Sequence, residues 1–180
     1  MTENQFIEDC KSRSIVALCY FMVLKAQLLY LHKNHEAALL CILEAENNLD
    51  HIRGTSTIAE FNFYHSLILA ALYPSRGERT QKKYLEQIEE NQHQMKIWAD
   101  NCADNFLHKY LLVEAEKARI TGNDITAIRT YDLAISSAVK SDFIQNEALA
   151  NELTGRFWLA FGKENFANIY LHHACQCYYH

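Results

Sequence analysis

The sequence predicts an all-α fold, an α-α superhelix of about four antiparallel helix pairs. Its 180 residues include one proline and five glycines, whereas strands joined by tight turns would need many more of both. Apolar residues recur at spacings of three and four through most of the chain, which is the period of a helix with one buried face. Because 49% of the residues are apolar or aromatic, the chain can bury one continuous core, and we expect a single domain over residues 1–180.

The first two helix pairs are bounded by residues that disfavour helix. The first pair is expected over about 12–52, and it ends before Gly54. The second pair is expected over about 57–100 and breaks at Pro74, because proline disfavours helix in the residue that precedes it. Short loops make consecutive helices antiparallel neighbours.

The last two pairs are each divided by a glycine. The third pair is expected over about 105–140 with Gly122 in its turn, and the fourth over about 142–179 with Gly162 in its turn. Short polar side chains favour helix starts, because their oxygens accept hydrogen bonds from the first backbone amides. The expected caps of the fourth pair are Ser141 and Asp142. The four pairs amount to eight predicted helices.

A repeat period of about 43 residues relates the first helices of the later pairs. A shift of 43 places Asn62 and His65 on Asn105 and His108, and a further 43 places His108 on Asn151. The second helices align separately, with alanines five and twelve residues after the turn. Counted from Lys33, Gly122 and Gly162, these are Ala38, Ala127 and Ala167, then Ala45, Ala134 and Ala174. Hairpins repeated in this way depend on their neighbours to bury their apolar faces.

The last pair carries a tetratricopeptide resemblance. Trp158, Leu159 and Gly162, with Ala174 twelve residues after the glycine, resemble the Trp, Leu, Gly and Ala of that pattern. The resemblance implies a TPR-like solenoid. Since the period of about 43 exceeds that family's 34 residues, the helices are expected to be longer than standard.

A second resemblance is closer and covers about two thirds of the chain. Seven blocks, in the same order and spacing, resemble the helical-repeat region of large bacterial signalling proteins that combine a serine/threonine kinase, a predicted ATPase module and often a sensor histidine kinase. The blocks are residues 59–67, 71–74, 95–100, 105–110, 113–119, 127–135 and 145–153, followed by Trp158. The resemblance implies a fragment or stand-alone relative of a longer signalling kinase, in which the repeats sense a partner or hold the switch inactive.

The sequence lacks the catalytic motifs that such proteins carry in other domains. It contains no Gly-rich kinase loop, no phosphate-binding loop with Gly-Lys-Ser/Thr and no Asp-Phe-Gly. We therefore expect a non-catalytic module without a cofactor. A metal site is not expected either, because Cys175 and Cys177, two residues apart on a helix, point about 200° away from each other.

Charge and cysteine usage restrict the partners and the compartment. The net charge of -5 is spread along the chain without a basic stripe, so nucleic acid is not an expected partner. The six cysteines lie mostly in apolar helical patterns, which favours a reducing, cytoplasmic compartment. The apolar run 15–24 ends at Lys25, too short for a membrane span, and no cleavage pattern follows it, so we expect neither membrane insertion nor a secretion signal.

The candidate partner-binding site is the set of polar positions that recur with the period, which we call the polar ladder. Asn62 and His65 share one helical face, Asn105 and His108 repeat that face, and Asn151 continues it. Equivalent positions of a solenoid lie side by side, so these side chains would line one binding surface. Alternatively, they form hydrogen bonds between helices inside the packed core.

Positive charge lies near the polar ladder. Lys109, Arg119 and Arg156, on the first helices of the last two pairs, would either pair with acidic groups of a partner or remain solvated. Lys109 follows His108 directly, and we include it among the candidate partner-binding residues.

These observations favour a protein-protein interaction or regulatory module over other classes. Its partner would be another protein or a neighbouring domain of the same polypeptide. The alternative is a ligand-sensing helical domain, in which a small molecule enters between helices and shifts the superhelix. The last helix ends at Tyr178-Tyr179-His180 without a polar capping helix, so either more chain follows or this helix forms a homodimer.

Overall fold

The structure, a computed structural model, describes residues 2–179 except for the side chain of Asn4. Within this range the chain forms nine α-helices, two short 3-10 helices and no strand, which confirms the predicted all-α, TPR-like fold. The 3-10 helices are Leu49–Ile52 and Tyr73–Ser75. The α-helices are α1 Glu3–Arg13, α2 Ile15–Leu31, α3 His35–Glu46, α4 Thr57–Leu72, α5 Glu78–Asn101, α6 Ala103–Ile120, α7 Asp124–Lys140, α8 Ile144–Ala160 and α9 Glu164–Tyr178.

Tertiary contacts divide the chain into two compact units, the first ending at Ile88 and the second beginning at Glu89. In the first unit, α2 and α3 form a close hairpin, α1 packs on α2, and α4 packs on both α2 and α3. In the second unit, α6 with α7 and α8 with α9 form close hairpins, and α7 packs on α8. One domain over residues 1–180 stays a prediction.

Helix α1 is the element that the sequence did not predict. Its residues are mostly polar, so the apolar periodicity is weak. The helix starts with a capping box, in which Thr2 and Gln5 exchange hydrogen bonds between side chain and backbone. Only Ser14 separates α1 from α2, and its side chain accepts a hydrogen bond from the amide of Ala17. The first pair, expected over about 12–52, thus begins inside α1, and α1 and α2 meet at Ser14.

The alanines that define the repeat are buried at the helix contacts. All six alanines predicted at five and twelve residues after a turn have almost no exposed surface. Counting twelve residues back from the first alanine of each hairpin gives a small buried residue on the first helix as well. The buried residues of the first helices are Ala26, Ala115 and Gly155. Small side chains on both helices allow a close approach, and each hairpin uses them at the same place.

The position of the tetratricopeptide pattern was wrong by seven residues. The sequence analysis placed its glycine at Gly162, but Gly162 lies in the turn after α8 with a φ of 65°. The close helix contact is at Gly155 instead, where an added Cβ would lie 2.7 Å from Cγ of Leu171 and 3.3 Å from the carbonyl oxygen of Ala167. In this register, Trp158 occupies the tyrosine position, three residues after the glycine.

A methyl group at Gly155 is expected to destabilise the second unit. Gly155→Ala should lower the free energy of unfolding by about 1–2 kcal/mol, because the cost of overpacking exceeds the roughly 1 kcal/mol that alanine gains in helix propensity. Urea unfolding followed by circular dichroism measures the change. Gly77→Ala is the control, since a Cβ there meets nothing within 4 Å. Equal stability of Gly155→Ala and wild type would contradict the close contact.

One turn conformation recurs at four connections. In each, a residue with positive φ follows the helix, and the next amide donates to the carbonyl five residues earlier. The residues with positive φ are Lys33, Gly122, Asp142 and Gly162. Ser141 and Asp142 therefore do not cap α8, as the sequence analysis expected. Ser141 ends α7, Asp142 is left-handed, and Phe143 precedes α8 without a side-chain cap.

Candidate functional site

In the first unit, the polar ladder is buried. Asn62 and His65 lie on α4 among apolar side chains, and the His65 ring lies 5.4 Å from the ring of Phe61. Among the described residues, Oδ1 of Asn62 and Nδ1 of His65 have no hydrogen-bond partner. Burial lowers the pKa of His65 to about 4, because the protonated ring would lose its hydration. His65 is thus a neutral core residue at physiological pH.

In the second unit, the structure brings His108 and Lys109 together around one aromatic ring. The His108 ring lies 4.4 Å from the ring of Phe143, and Nζ of Lys109 lies 5.4 Å from the centre of the same ring. Both side chains are buried, and neither nitrogen of His108 has a hydrogen-bond partner among the described residues. Burial, helped by the charge of Lys109, lowers the pKa of His108 to about 4.

The two remaining residues of the polar ladder, Asn105 and Asn151, differ from each other in exposure. Asn105 is exposed near the start of α6, whereas Asn151 is buried on α8 and donates from Nδ2 to the carbonyl oxygen of Glu147 at 2.9 Å. Gly122 and Gly162, which occupy the same turn position, are 40 residues apart rather than 43. In this alignment the counterpart of His108 is residue 148 and not Asn151.

These observations restrict what the polar ladder can do. Four of its five side chains are buried, as is the neighbouring Lys109, so only Asn105 is exposed enough for direct contact with a partner. The alternative of hydrogen bonds between helices receives no support from His65 or His108, whose ring nitrogens include atoms without a partner among the described residues. Partner binding by the polar ladder stays a prediction.

Two of the positive charges noted in the sequence belong to a repeated arrangement of Glu, Arg and Tyr. On α6, the carboxylate of Glu116 pairs with Arg119, with Oε2 2.6 Å from Nη2 and Oε1 3.1 Å from Nε. The hydroxyl of Tyr131 on α7 donates to the same carboxylate. Glu116 has only 3% of its side chain exposed, so its hydrogen bond from Tyr131 joins α6 to α7 inside the hairpin.

The next hairpin contains a second such arrangement. On α8, Oε1 of Glu152 lies 3.0 Å from Nη2 of Arg156. The hydroxyl of Tyr178 on α9 donates to Oε2 of Glu152 at 2.9 Å. In both hairpins a glutamate of the first helix therefore holds an arginine of the same helix, while a tyrosine of the second helix fixes the glutamate.

The two arginines reach the surface on adjacent helices. The exposed side-chain fraction is 29% for Arg119 and 38% for Arg156, and α6 contacts α8. We call these two residues the arginine surface. Sequence reasoning noted their charge but missed the glutamates and tyrosines, although the spacings of three between Glu116 and Arg119 and four between Glu152 and Arg156 are those of helical ion pairs.

Metal-binding clusters and membrane-spanning helices are absent from the described residues. In the described part of the chain, no three histidine, cysteine or acidic side chains are grouped so that they could hold a metal ion. Over the same range, no helix has both the length and the apolar character needed to cross a membrane.

The comparisons with known proteins give one match. A family model described as CHK1-like, TPR repeats matches residues 2–172. No curated protein and no solved structure matches the chain.

Proposed function

We propose that this chain, which belongs to the family of CHK1-like TPR repeats, binds an acidic segment of a protein partner through Arg119 and Arg156. Repeats of this family mediate protein-protein interactions and are typically non-catalytic. We choose this surface because Glu116 and Glu152 hold the two arginines on neighbouring helices. An arginine that is already oriented loses less side-chain entropy when it binds.

The chemistry of arginine favours a carboxylate-rich partner. A guanidinium presents five N–H donors in a rigid fork whose geometry matches that of carboxylate groups. The chain as a whole carries a net charge of -5 and each arginine is paired with a glutamate, so binding of an acidic segment depends on the donor geometry of the two guanidinium groups rather than on net charge. We therefore infer short aspartate- or glutamate-rich segments as partners.

We also propose a role for this binding in signalling. The family description names a kinase, and the sequence resembles the helical-repeat region of multidomain kinases with ATPase and histidine-kinase modules. A repeat surface of this kind would hold a neighbouring domain or a separate protein in a regulated state. The acidic segment would then lie in a protein of the same signalling system, in the cytoplasm.

Anisotropy of a fluorescein-labelled hexaglutamate peptide tests the arginine surface. Arg156→Gln should weaken binding about three- to tenfold, because one charge-assisted contact is lost. Glu152 keeps the hydroxyl of Tyr178, so this change leaves no buried carboxylate without a donor. Arg119→Lys keeps the charge but loses the fork geometry, and it should weaken binding by a smaller factor.

Lys140→Gln is the matched control, because it removes one exposed positive charge from the same unit. It should leave the affinity for the peptide unchanged apart from a small effect of net charge. If Arg156→Gln and Lys140→Gln bind the peptide equally well, the arginine surface is not the binding site. A labelled hexalysine peptide, which the net charge of -5 attracts without specificity, should bind Arg156→Gln no more weakly than the wild type.

A further inference from the structure

The second unit exposes an aromatic side chain beside a carboxylate. Phe166 on α9 is 54% exposed, and its ring stacks on the ring of Trp158 on α8 with 5.1 Å between their centres. Tyr170, four residues after Phe166, lies on the same side of α9. The hydroxyl of Tyr170 donates to Oδ1 of Asp132 on α7 at 3.0 Å. We call Asp132, Trp158 and Phe166 the aromatic-carboxylate surface.

Tyr170 connects the aromatic part of this surface to its carboxylate. Burial and the charge of Asp132 raise the pKa of Tyr170, and a hydrogen bond from the indole N–H of Trp158 to the same hydroxyl opposes this rise. The carboxylate therefore lies two hydrogen bonds from the indole. Because a hydroxyl is a neutral donor, Tyr170 orients the exposed Asp132 without neutralising its charge.

The exposure of Phe166 does not depend on which helix follows α9. Counted from the left-handed glycines Gly122 and Gly162, Phe166 corresponds to Thr126 on α7. Thr126 is exposed although α8 and α9 follow α7, so this position faces solvent inside the array. A polar side chain is usual at such a position. Helix α9 instead presents an aromatic ring there, with more than half of its surface accessible for a contact.

We propose that the aromatic-carboxylate surface binds an arginine side chain of a protein partner. A guanidinium is planar, so it can stack on the exposed face of an aromatic ring while its N–H groups donate to a carboxylate. Phe166 on Trp158 supplies the aromatic face, and Asp132 supplies the carboxylate. Arginine fits better than lysine, because an ammonium group neither stacks as a plane nor forms a bidentate pair. The partner segment therefore exposes at least one arginine.

The proposal shares with the proposed function only the premise of protein binding. Arg119 and Arg156 would bind an acidic segment, whereas Asp132 and Phe166 would bind a basic side chain. Failure of one surface leaves the other open, since hexaglutamate offers no cation to Phe166 and Asp132→Asn removes neither arginine.

Anisotropy of a labelled hexaarginine peptide tests this surface, in about 150 mM salt to screen non-specific attraction to the net charge of -5. Phe166→Thr, which introduces the residue that α7 carries at this position, should weaken binding about two- to fivefold because the cation–π contact is lost. Asp132→Asn should weaken binding by a similar factor. The asparagine still accepts the hydrogen bond of Tyr170 but carries no charge.

Ile125→Thr and Asp104→Asn are the matched controls, since they remove an exposed apolar side chain at the start of α7 and an exposed carboxylate at the start of α6. Both should bind hexaarginine as the wild type does. The wild type should bind hexalysine more weakly than hexaarginine, and Phe166→Thr should reduce this preference.

Equal weakening by the surface variants and their controls would overturn the proposal, and so would equal binding of the two peptides to the wild type. Should Phe166→Thr fail to fold, Phe166→Leu supplies the same comparison. It keeps an apolar contact with Trp158 but removes the aromatic face, so it too should weaken the binding of hexaarginine.

Discussion

Glu116→Ala is expected to lower the free energy of unfolding by about 3 kcal/mol. The carboxylate of Glu116 is buried, accepts a hydrogen bond from the hydroxyl of Tyr131 and pairs with Arg119. Tyr131 has no exposed surface, so water cannot replace the lost acceptor. The change also removes the charge that orients Arg119.

Urea unfolding at pH 7 measures this loss, and Glu152→Ala is the matched comparison. Glu152 makes the same kind of contacts to Arg156 and Tyr178, but 19% of its side chain is exposed. Because solvent can reach the groups left behind, Glu152→Ala should cost only about 1 kcal/mol. Similar losses in the two variants would contradict the burial of the Glu116 contacts. Tyr131→Phe should recover part of the loss when it is combined with Glu116→Ala.

Acidification is expected to destabilise the protein between pH 6.5 and pH 4 through its two buried histidines. The pKa values of His65 and His108 are about 4 in the folded chain, against about 6.5 in the unfolded chain. As the pH falls through this window, the unfolded state binds protons that the folded state does not, so folding stability decreases. Each histidine should account for about 3 kcal/mol, and the full contribution is present above pH 6.5.

The measurement is urea unfolding at pH 7.0, 5.5 and 4.5 for the wild type, His108→Phe and His65→Phe. Each variant should lose less stability on acidification than the wild type, because phenylalanine cannot bind a proton. The carboxylates titrate alike in all three proteins, so the difference between the slopes isolates the histidines. His172→Phe, which alters an exposed ring, should retain the wild-type slope. A wild-type slope in His108→Phe would show that His108 binds a proton as readily in the folded chain as in the unfolded chain.

The sequence was sufficient to predict the helices whose bounds depend on local sequence features. The helices end within a few residues of the predicted breaks at Gly54, Pro74, Gly122 and Gly162, because apolar periodicity and glycine turns act over short distances. The grouping of the helices into four pairs stays a prediction. The six repeated alanines were correctly identified because a close helix contact tolerates only a small side chain at a fixed distance from the turn. Helix α1 was missed because its stability depends on one aromatic contact and one ion pair with α2 rather than on a periodic pattern.

The tetratricopeptide position could not be decided from the sequence. Gly155 and Gly162 are seven residues apart, and each is followed after twelve residues by an alanine, Ala167 or Ala174. The two glycines differ in backbone conformation, because Gly155 is helical and Gly162 is left-handed in the turn. The burial of the polar ladder could not be predicted for a related reason. Side-chain burial depends on the rotation of a helix about its axis, and the difference of three residues between periods of 43 and 40 changes that rotation by most of a turn.

The turn at Asp142 has a consequence for how this chain can change in evolution. It connects α7 to α8 with the backbone conformation that Gly122 and Gly162 use within the hairpins, so α6 to α9 are joined by a single kind of connector. Unequal recombination at these turns can insert or delete a whole hairpin without creating a new loop. The array can therefore grow or shrink by pairs of helices, while the connecting turns keep the same backbone conformation.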